Sequence, residues 1–159
     1  LLTIHGIGEV KAMQLRCICE LSRRLSKETG GPAVVFDSPE SIANYYMEDM
    51  RHKPQEELML LLLNGRNHRI GEKVISIGTA NGAMITPREI FIEALRWQAV
   101  RIVLLHNHPS GDPSPSEEDI LFTRRIWQTG ELLGIELLDH IVIGDCCYIS
   151  LKERGILVI

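Results

Sequence analysis

The chain has 159 residues, 45% of them hydrophobic and 24% charged, enough for one domain with a substantial core plus a small appendage but too few for two full-sized domains. Its 17 Lys and Arg against 21 Asp and Glu give a formal charge of -4, the wrong sign for a protein that lives on phosphate contacts over its whole surface. No apolar run reaches the roughly 18 residues of a membrane span, and the N-terminus lacks the charged-then-apolar order of a signal peptide, so no membrane association and a cytoplasmic location are expected.

The first residue is Leu1 rather than Met, which reads as a fragment of a longer protein. Cys17, Cys19, Cys146 and Cys147 form two close pairs without C-x-x-C spacing and read as reduced, partly buried thiols.

Along the chain, a turn at "IHGIG" opens a helix with an apolar stripe of Ile7, Val10, Ala12, Leu15, Ile18, Cys19, Leu21 and Leu25. Lys11, Arg16, Arg23, Arg24 and Lys27 make this stretch locally basic, and Gly30, Gly31 and Pro32 end it. The sequence therefore predicts a segment 1–30, a linker 31–36 and a main domain 37–159. Ser38 as cap and Pro39 in the first turn start a second helix, amphipathic from Ser41 to Met50. After Pro54 the pattern becomes that of strands: "EELMLLLL", a turn at Asn64-Gly65, and an alternating run through Val74, Ile75 and Ile77, together a hairpin.

Thr86 and Pro87 then open a helix expected to bury Ile90, Phe91, Ala94 and Leu95. "VRIVLLHNH" is a strand apolar on both faces, as in a covered sheet. A long loop, a helix from about Ser116 to Gly130 and two strands, "IELLDHIVIG" and "CYISLK", complete an α/β fold with a mixed β-sheet flanked by helices.

The chemistry concentrates in "HNHPSGDPSPSEED", residues 106–119. Residues two apart in a strand share a face, so His106 and His108 aim together and Asn107 aims away. Pro109 keeps His108 extended. Asp119 follows at the start of the next helix, across a loop stiffened by Pro109, Pro113 and Pro115. Two imidazoles and a carboxylate make three zinc ligands with a fourth position open to water, the composition of a catalytic site.

Ser116 and Asp119 also spell S-x-x-D, a capping box that accounts for both residues without a metal. Hydrolysis needs a base as well, and Glu56 and Glu57 stand where the apolar strand begins. Being adjacent, at most one can face the metal; a solvated strand end is the competing reading. Asp139 is expected to orient His140 at a strand end in a structural role, and His68 has no assigned role.

His106-Asn107-His108-Pro109 with Ser116 and Asp119 resembles the JAMM (MPN) metalloprotease motif. More narrowly, "HNHPSGDPSPSEED", "PREIF", "SIGT" and "LLDHIVIG" resemble the bacterial RadC family over nearly the whole chain. The resemblance implies the JAMM/MPN fold for 37–159, related to cytidine deaminases, with His106, His108 and Asp119 as ligands of Zn2+. It further implies Ser116 as oxyanion stabiliser and Glu56, rather than Glu57, as general base. The deaminase elements H-x-E and P-C-x-x-C are absent, which disfavours base deamination. "IHGIGEVKA" resembles the second half of a helix-hairpin-helix unit, which implies DNA phosphate contact at Gly6, Gly8 and Lys11.

Two functions follow as expectations: a zinc-dependent hydrolase of peptide or isopeptide bonds, acting on a protein or peptide substrate, or a DNA-associated accessory module of repair or recombination. The letters "HNH" suggest a metal nuclease only weakly, because that signature is spread over a ββα unit. The apolar strands would also support a dimer, but no interface is identifiable.

Overall fold

The computed structural model describes residues 4–28, 36–78 and 85–157. The predicted linker therefore lies outside them except for Phe36, as does Thr79 of "SIGT". The chain divides into two units, Leu1–Ala33 and Val34–Ile159.

In the first unit, Gly6 takes φ +85 in the turn that feeds α1 (Glu9–Glu28), and Lys11 Nζ donates to the Gly6 carbonyl at 3.2 Å. The predicted turn-then-helix form is present. Of the predicted apolar stripe, Ala12 is buried while Val10, Leu15, Ile18, Leu21 and Leu25 are exposed.

The second unit is built on a five-stranded mixed sheet in the order β2-β1-β3-β4-β5. Its strands are β1 (Glu57–Leu63), β2 (Arg69–Ile77), β3 (Arg101–Asn107), β4 (Glu136–Ile143) and β5 (Tyr148–Ser150). All neighbours pair antiparallel except β3 and β4, which run parallel and are joined through a helix, as a parallel connection requires.

β1 and β3 are buried on both faces, so alternate residues feed two cores. Leu58, Leu60, Leu62, Ile102 and Leu104 pack under α3 (Pro87–Arg96) and α4 (Glu117–Leu133). Met59, Leu61, Leu63, Val103 and Leu105 pack under α2 (Pro39–Met50). Each helix begins where its sequence signal places it. The Ser38 hydroxyl accepts from Ser41 N at 3.1 Å ahead of Pro39, and the Glu89 carboxylate accepts from Thr86 N at 2.9 Å ahead of α3.

Several local expectations are corrected. Phe36, assigned to the linker, is 2% exposed and packs edge-on against Tyr45 in the α2 core. Leu95, expected in the core, is 58% exposed, because the buried face of α3 is set by Ile90, Phe91 and Ala94. The turn expected at Asn64-Gly65 is present, Asn67 N donating to Asn64 O at 3.0 Å within a loop of residues 64–68 whose left-handed residue is Asn67 (φ 59). Asn64 Oδ1 holds that loop by accepting from Arg66 N and His68 N at 2.9 and 3.1 Å. α4 continues past Gly130 to Leu133 and stops at Gly134, which takes the left-handed cap conformation. All four cysteines are free and exposed rather than partly buried. Among the described residues no helix is long and apolar enough to cross a membrane.

One polar bond ties α2 to the sheet edge. The fully buried Tyr46 hydroxyl donates to Glu72 Oε2 on β2 at 2.5 Å, and Arg69 holds the same oxygen at 2.9 Å. Burial and the Glu72 carboxylate together push the Tyr46 phenol far above its ordinary value of 10. The unfolded chain therefore loses this proton as pH rises through about 10 while the folded chain keeps it, so stability is complete below pH 10 and falls above it. Tyr46→Phe is expected to cost about 1–3 kcal/mol near neutral pH in urea unfolding, with the gap to the native protein narrowing above pH 10.

Candidate metal centre

β3 ends at Asn107, and its ladder with β4 is prolonged by one bond from His108 N to Ile143 O at 2.9 Å. His108 thereby stays extended before Pro109, and the strand alternation persists to the last histidine. The chain then turns, Gly111 N donating to His108 O at 2.9 Å. The returning loop is gripped by the β4–β5 connection, where Asp145 N donates to Gly111 O at 2.9 Å. A side chain at Gly144 would run into the Gly111 carbonyl and come within 2.8 Å of Pro113 Cδ, so only glycine permits this approach.

α4 enters with its capping box formed. Ser116 Oγ accepts from Asp119 N at 3.1 Å, while Asp119 Oδ2 accepts from Ser116 N and from the Ser116 hydroxyl at 2.8 and 2.7 Å. The cap uses only Oδ2. Oδ1 faces His106 and Oδ2 also lies toward His108, so the same carboxylate serves both the cap and the cluster, and the two sequence readings are compatible.

His106, His108 and Asp119 are brought together as a group that could hold a metal ion, one donor atom from each lying within 4.8 Å of the others. The two Nε2 atoms are 3.0 Å apart, His106 Nε2 is 3.6 Å from Asp119 Oδ1, and His108 Nε2 is 3.8 Å from Asp119 Oδ2. Ligands of a tetrahedral zinc ion stand about 3.3–3.5 Å from one another, so these separations bracket what the ion requires. His108 Nδ1 donates to the Asp112 carbonyl at 2.8 Å, which leaves its Nε2 lone pair toward the cluster when the ring is neutral. Two nitrogen atoms this close repel unless a proton or a cation lies between them. The donor set fits a divalent metal.

The charges agree. Burial pushes His106 down to about 4 despite the nearby Asp119, keeping the ring neutral and able to ligate. The Asp119 carboxylate lifts His108 above the ordinary imidazole value, helped by the Asp112 carbonyl and the Glu56 charge. Burial alone would raise Asp119, but His108, His106 and Ser116 outweigh it and hold the carboxyl well below its usual range.

The two glutamates part company. Leu58 lies opposite His106 in the antiparallel register, and extending that register two residues puts Glu56 across from His108 on the same face. Glu57 points to the other face, is 5% exposed, and pairs with Lys53 Nζ at 2.9 Å. Asn107 also lies on that other face. Its Oδ1 accepts from Glu57 N at 2.9 Å and its Nδ2 donates to Gln55 O at 3.2 Å, clamping the backbone on both sides of Glu56.

Sequence reasoning gave Asn107 and Thr123 no task and His140 only a structural role beside Asp139. Asp139 does not orient the His140 ring; its Oδ1 accepts from the backbone N–H of His140 at 2.7 Å, and its Oδ2 from the Ser150 hydroxyl at 2.5 Å. The ring instead faces His106 and Thr123. The available signal was parity, since His140 lies opposite Leu104 in the parallel register and so shares the face of His106. Gly6, Gly8 and Lys11 belong to the first unit, and His68 sits in the β1–β2 loop.

Asn107→Ala removes both bonds from a fully buried position and leaves the Glu57 N–H and the Gln55 carbonyl to find new partners. A loss of about 2–3 kcal/mol is expected in denaturant unfolding, together with faster amide exchange at Glu57.

The RadC-like JAB domain family matches residues 36–156. A UPF0758 protein of Shouchella clausii is 51% identical over 152 residues, covering 96% of this chain and 66% of its own. UPF0758 proteins of Bacillus velezensis and Bacillus subtilis are 49% and 48% identical over 155 residues, each covering 98% of this chain and 67% of its own. The chain thus spans about two thirds of the length of these curated relatives. With its five-stranded mixed sheet, flanking helices and histidine-aspartate cluster, the chain belongs to the RadC-like JAB domain family.

Proposed function

We propose that this domain is a zinc-dependent hydrolase of the JAMM type, cleaving peptide or isopeptide bonds in a protein or peptide substrate. The observation that carries the reading is the convergence of the His106, His108 and Asp119 donors at spacings a tetrahedral ion needs. Zinc held there supplies Lewis-acid polarisation of the scissile carbonyl and a water acidified toward neutral pH.

Glu56, half-buried on the face of His108, accepts a proton from the attacking water and returns it to the leaving nitrogen. The Asn107 clamp fixes the backbone from which Glu56 reaches. The Ser116 hydroxyl turns from Asp119 Oδ2 to donate to the developing oxyanion, a rotation its exposed position permits. Four free, exposed thiols suit a reducing compartment, the cytoplasm.

A second reading, a DNA-associated module of repair or recombination, draws on the glycine turn that opens α1. Two features weaken it. Glu9 stands in the first turn of α1, where it opposes a phosphate, and the Lys11 ammonium is bonded to Gly6 O. Salt-sensitive duplex binding that requires Gly6, Gly8 and Lys11 supports this reading.

For the hydrolase, one zinc per chain is expected. Stripping it with a chelator ends hydrolysis of peptide or isopeptide-linked reporters, and zinc restores it. Glu56→Gln is expected to keep the zinc and lower kcat by about 10²–10⁴-fold. A native protein that takes up no zinc, or a Glu56→Gln variant as active as the native chain, overturns the reading.

A further inference from the structure

A buried line of polar groups runs beneath the cluster from one proposed ligand to another. His106 Nδ1 lies 2.7 Å from His140 Nε2, His140 Nδ1 lies 2.5 Å from Thr123 Oγ1, and Thr123 Oγ1 lies 2.6 Å from the Asp119 backbone carbonyl. All three side chains are 1% exposed or less, so none of these bonds can be exchanged for water without opening the core.

The proton positions along this line follow from its last member. A carbonyl only accepts, so the Thr123 hydroxyl donates its single proton to Asp119 O. Thr123 Oγ1 must then accept from His140, which places the His140 proton on Nδ1 and leaves a lone pair on Nε2. That lone pair can only accept, so the proton of His106 sits on Nδ1. The His106 Nε2 lone pair is left facing His108 and Asp119. With both rings neutral this one-way chain is complete.

We propose that Thr123 and His140 are positioning residues that lock His106 in the Nδ1–H tautomer, so that the metal-free protein already presents Nε2 as a ligand. This rests on the reading of His106, His108 and Asp119 as the metal-binding group. Asp119 acts twice: its carboxylate closes the cluster, and its main-chain carbonyl, one helical turn before Thr123, sets the tautomer of the opposing ligand. A metal-bound histidine commonly donates its second N–H to a carboxylate or a carbonyl. Here the acceptor is a neutral imidazole, which passes on the orientation of a carbonyl without bringing a negative charge beneath the site.

The test begins with the metal-free native protein and needs no substrate. Long-range nitrogen–proton NMR at neutral pH is expected to show His106 and His140 both protonated at Nδ1. His106 protonated at Nε2 overturns the proposal, whatever the zinc affinity. In chelator competition, Thr123→Val is expected to weaken zinc binding about 10–100-fold and Thr123→Ser to restore it to near the native value. A Thr123→Val protein with native zinc affinity and an unchanged His106 tautomer also overturns it. If Thr123→Val fails to fold, the native spectrum and the Thr123→Ser affinity still decide. A native protein that binds no zinc but shows the Nδ1 tautomers removes the metal reading and leaves the tautomer lock standing.

Discussion

The pleat of β3 at its carboxyl end puts His106 and His108 on one face of the sheet and Asn107 on the other, and both halves of the site hang from that alternation. On one face the histidines meet Asp119 from α4. On the other, Asn107 reaches across to the backbone flanking Glu56, the residue assigned the proton transfer. A one-residue slip of β3 against β1 would exchange these roles. Burial of both strands on both faces makes such a slip expensive, because every leucine would move to the opposite core.

The polar groups gathered there would destabilise the fold if they were left unpaired, and most are answered locally. The Asp119 carboxylate is drawn into the capping box of α4, His108 leans on the Asp112 carbonyl, and His106 leans on His140. What these bonds leave over is three donor atoms facing a common point. The site is thus the remainder of an otherwise satisfied hydrogen-bond network. The rigid neighbours of that network, Gly144 against the Gly111 loop and Asp139 against the β5 turn, keep the remainder aimed.

The first unit shows where pattern and burial separate. The spacing of Val10, Ile18, Leu21 and Leu25 is that of a helix face, and a helix forms, but these side chains are exposed. Periodicity reports what a helix can bury; whether it does depends on another element coming to cover it. Leu95 in α3 makes the same point on a smaller scale. It lies at the edge of an apolar arc whose centre, Ile90 and Ala94, already fills the space over β1 and β3.

Local chemistry by itself determined the helix starts at Ser38, Thr86 and Ser116, the doubly buried strands, the shared face of His106 and His108, and the proline-stiffened path to Asp119. Each of these depends on residues within a turn or a pleat of one another. Tertiary structure alone put Glu56 on the face of His108 and Glu57 on the opposite one, since that depends on the register of β1 against β3, which Lys53 and Asn107 reinforce from the far side. It alone gave Asn107 a task, moved Phe36 from linker to core, and brought His140 and Thr123 beneath His106. The contacts of Asn107 with the backbone flanking Glu56, and of His140 with His106 and Thr123, join residues 17 to 52 positions apart, and distances of that kind are set by how helices pack on a sheet, which no local pattern encodes.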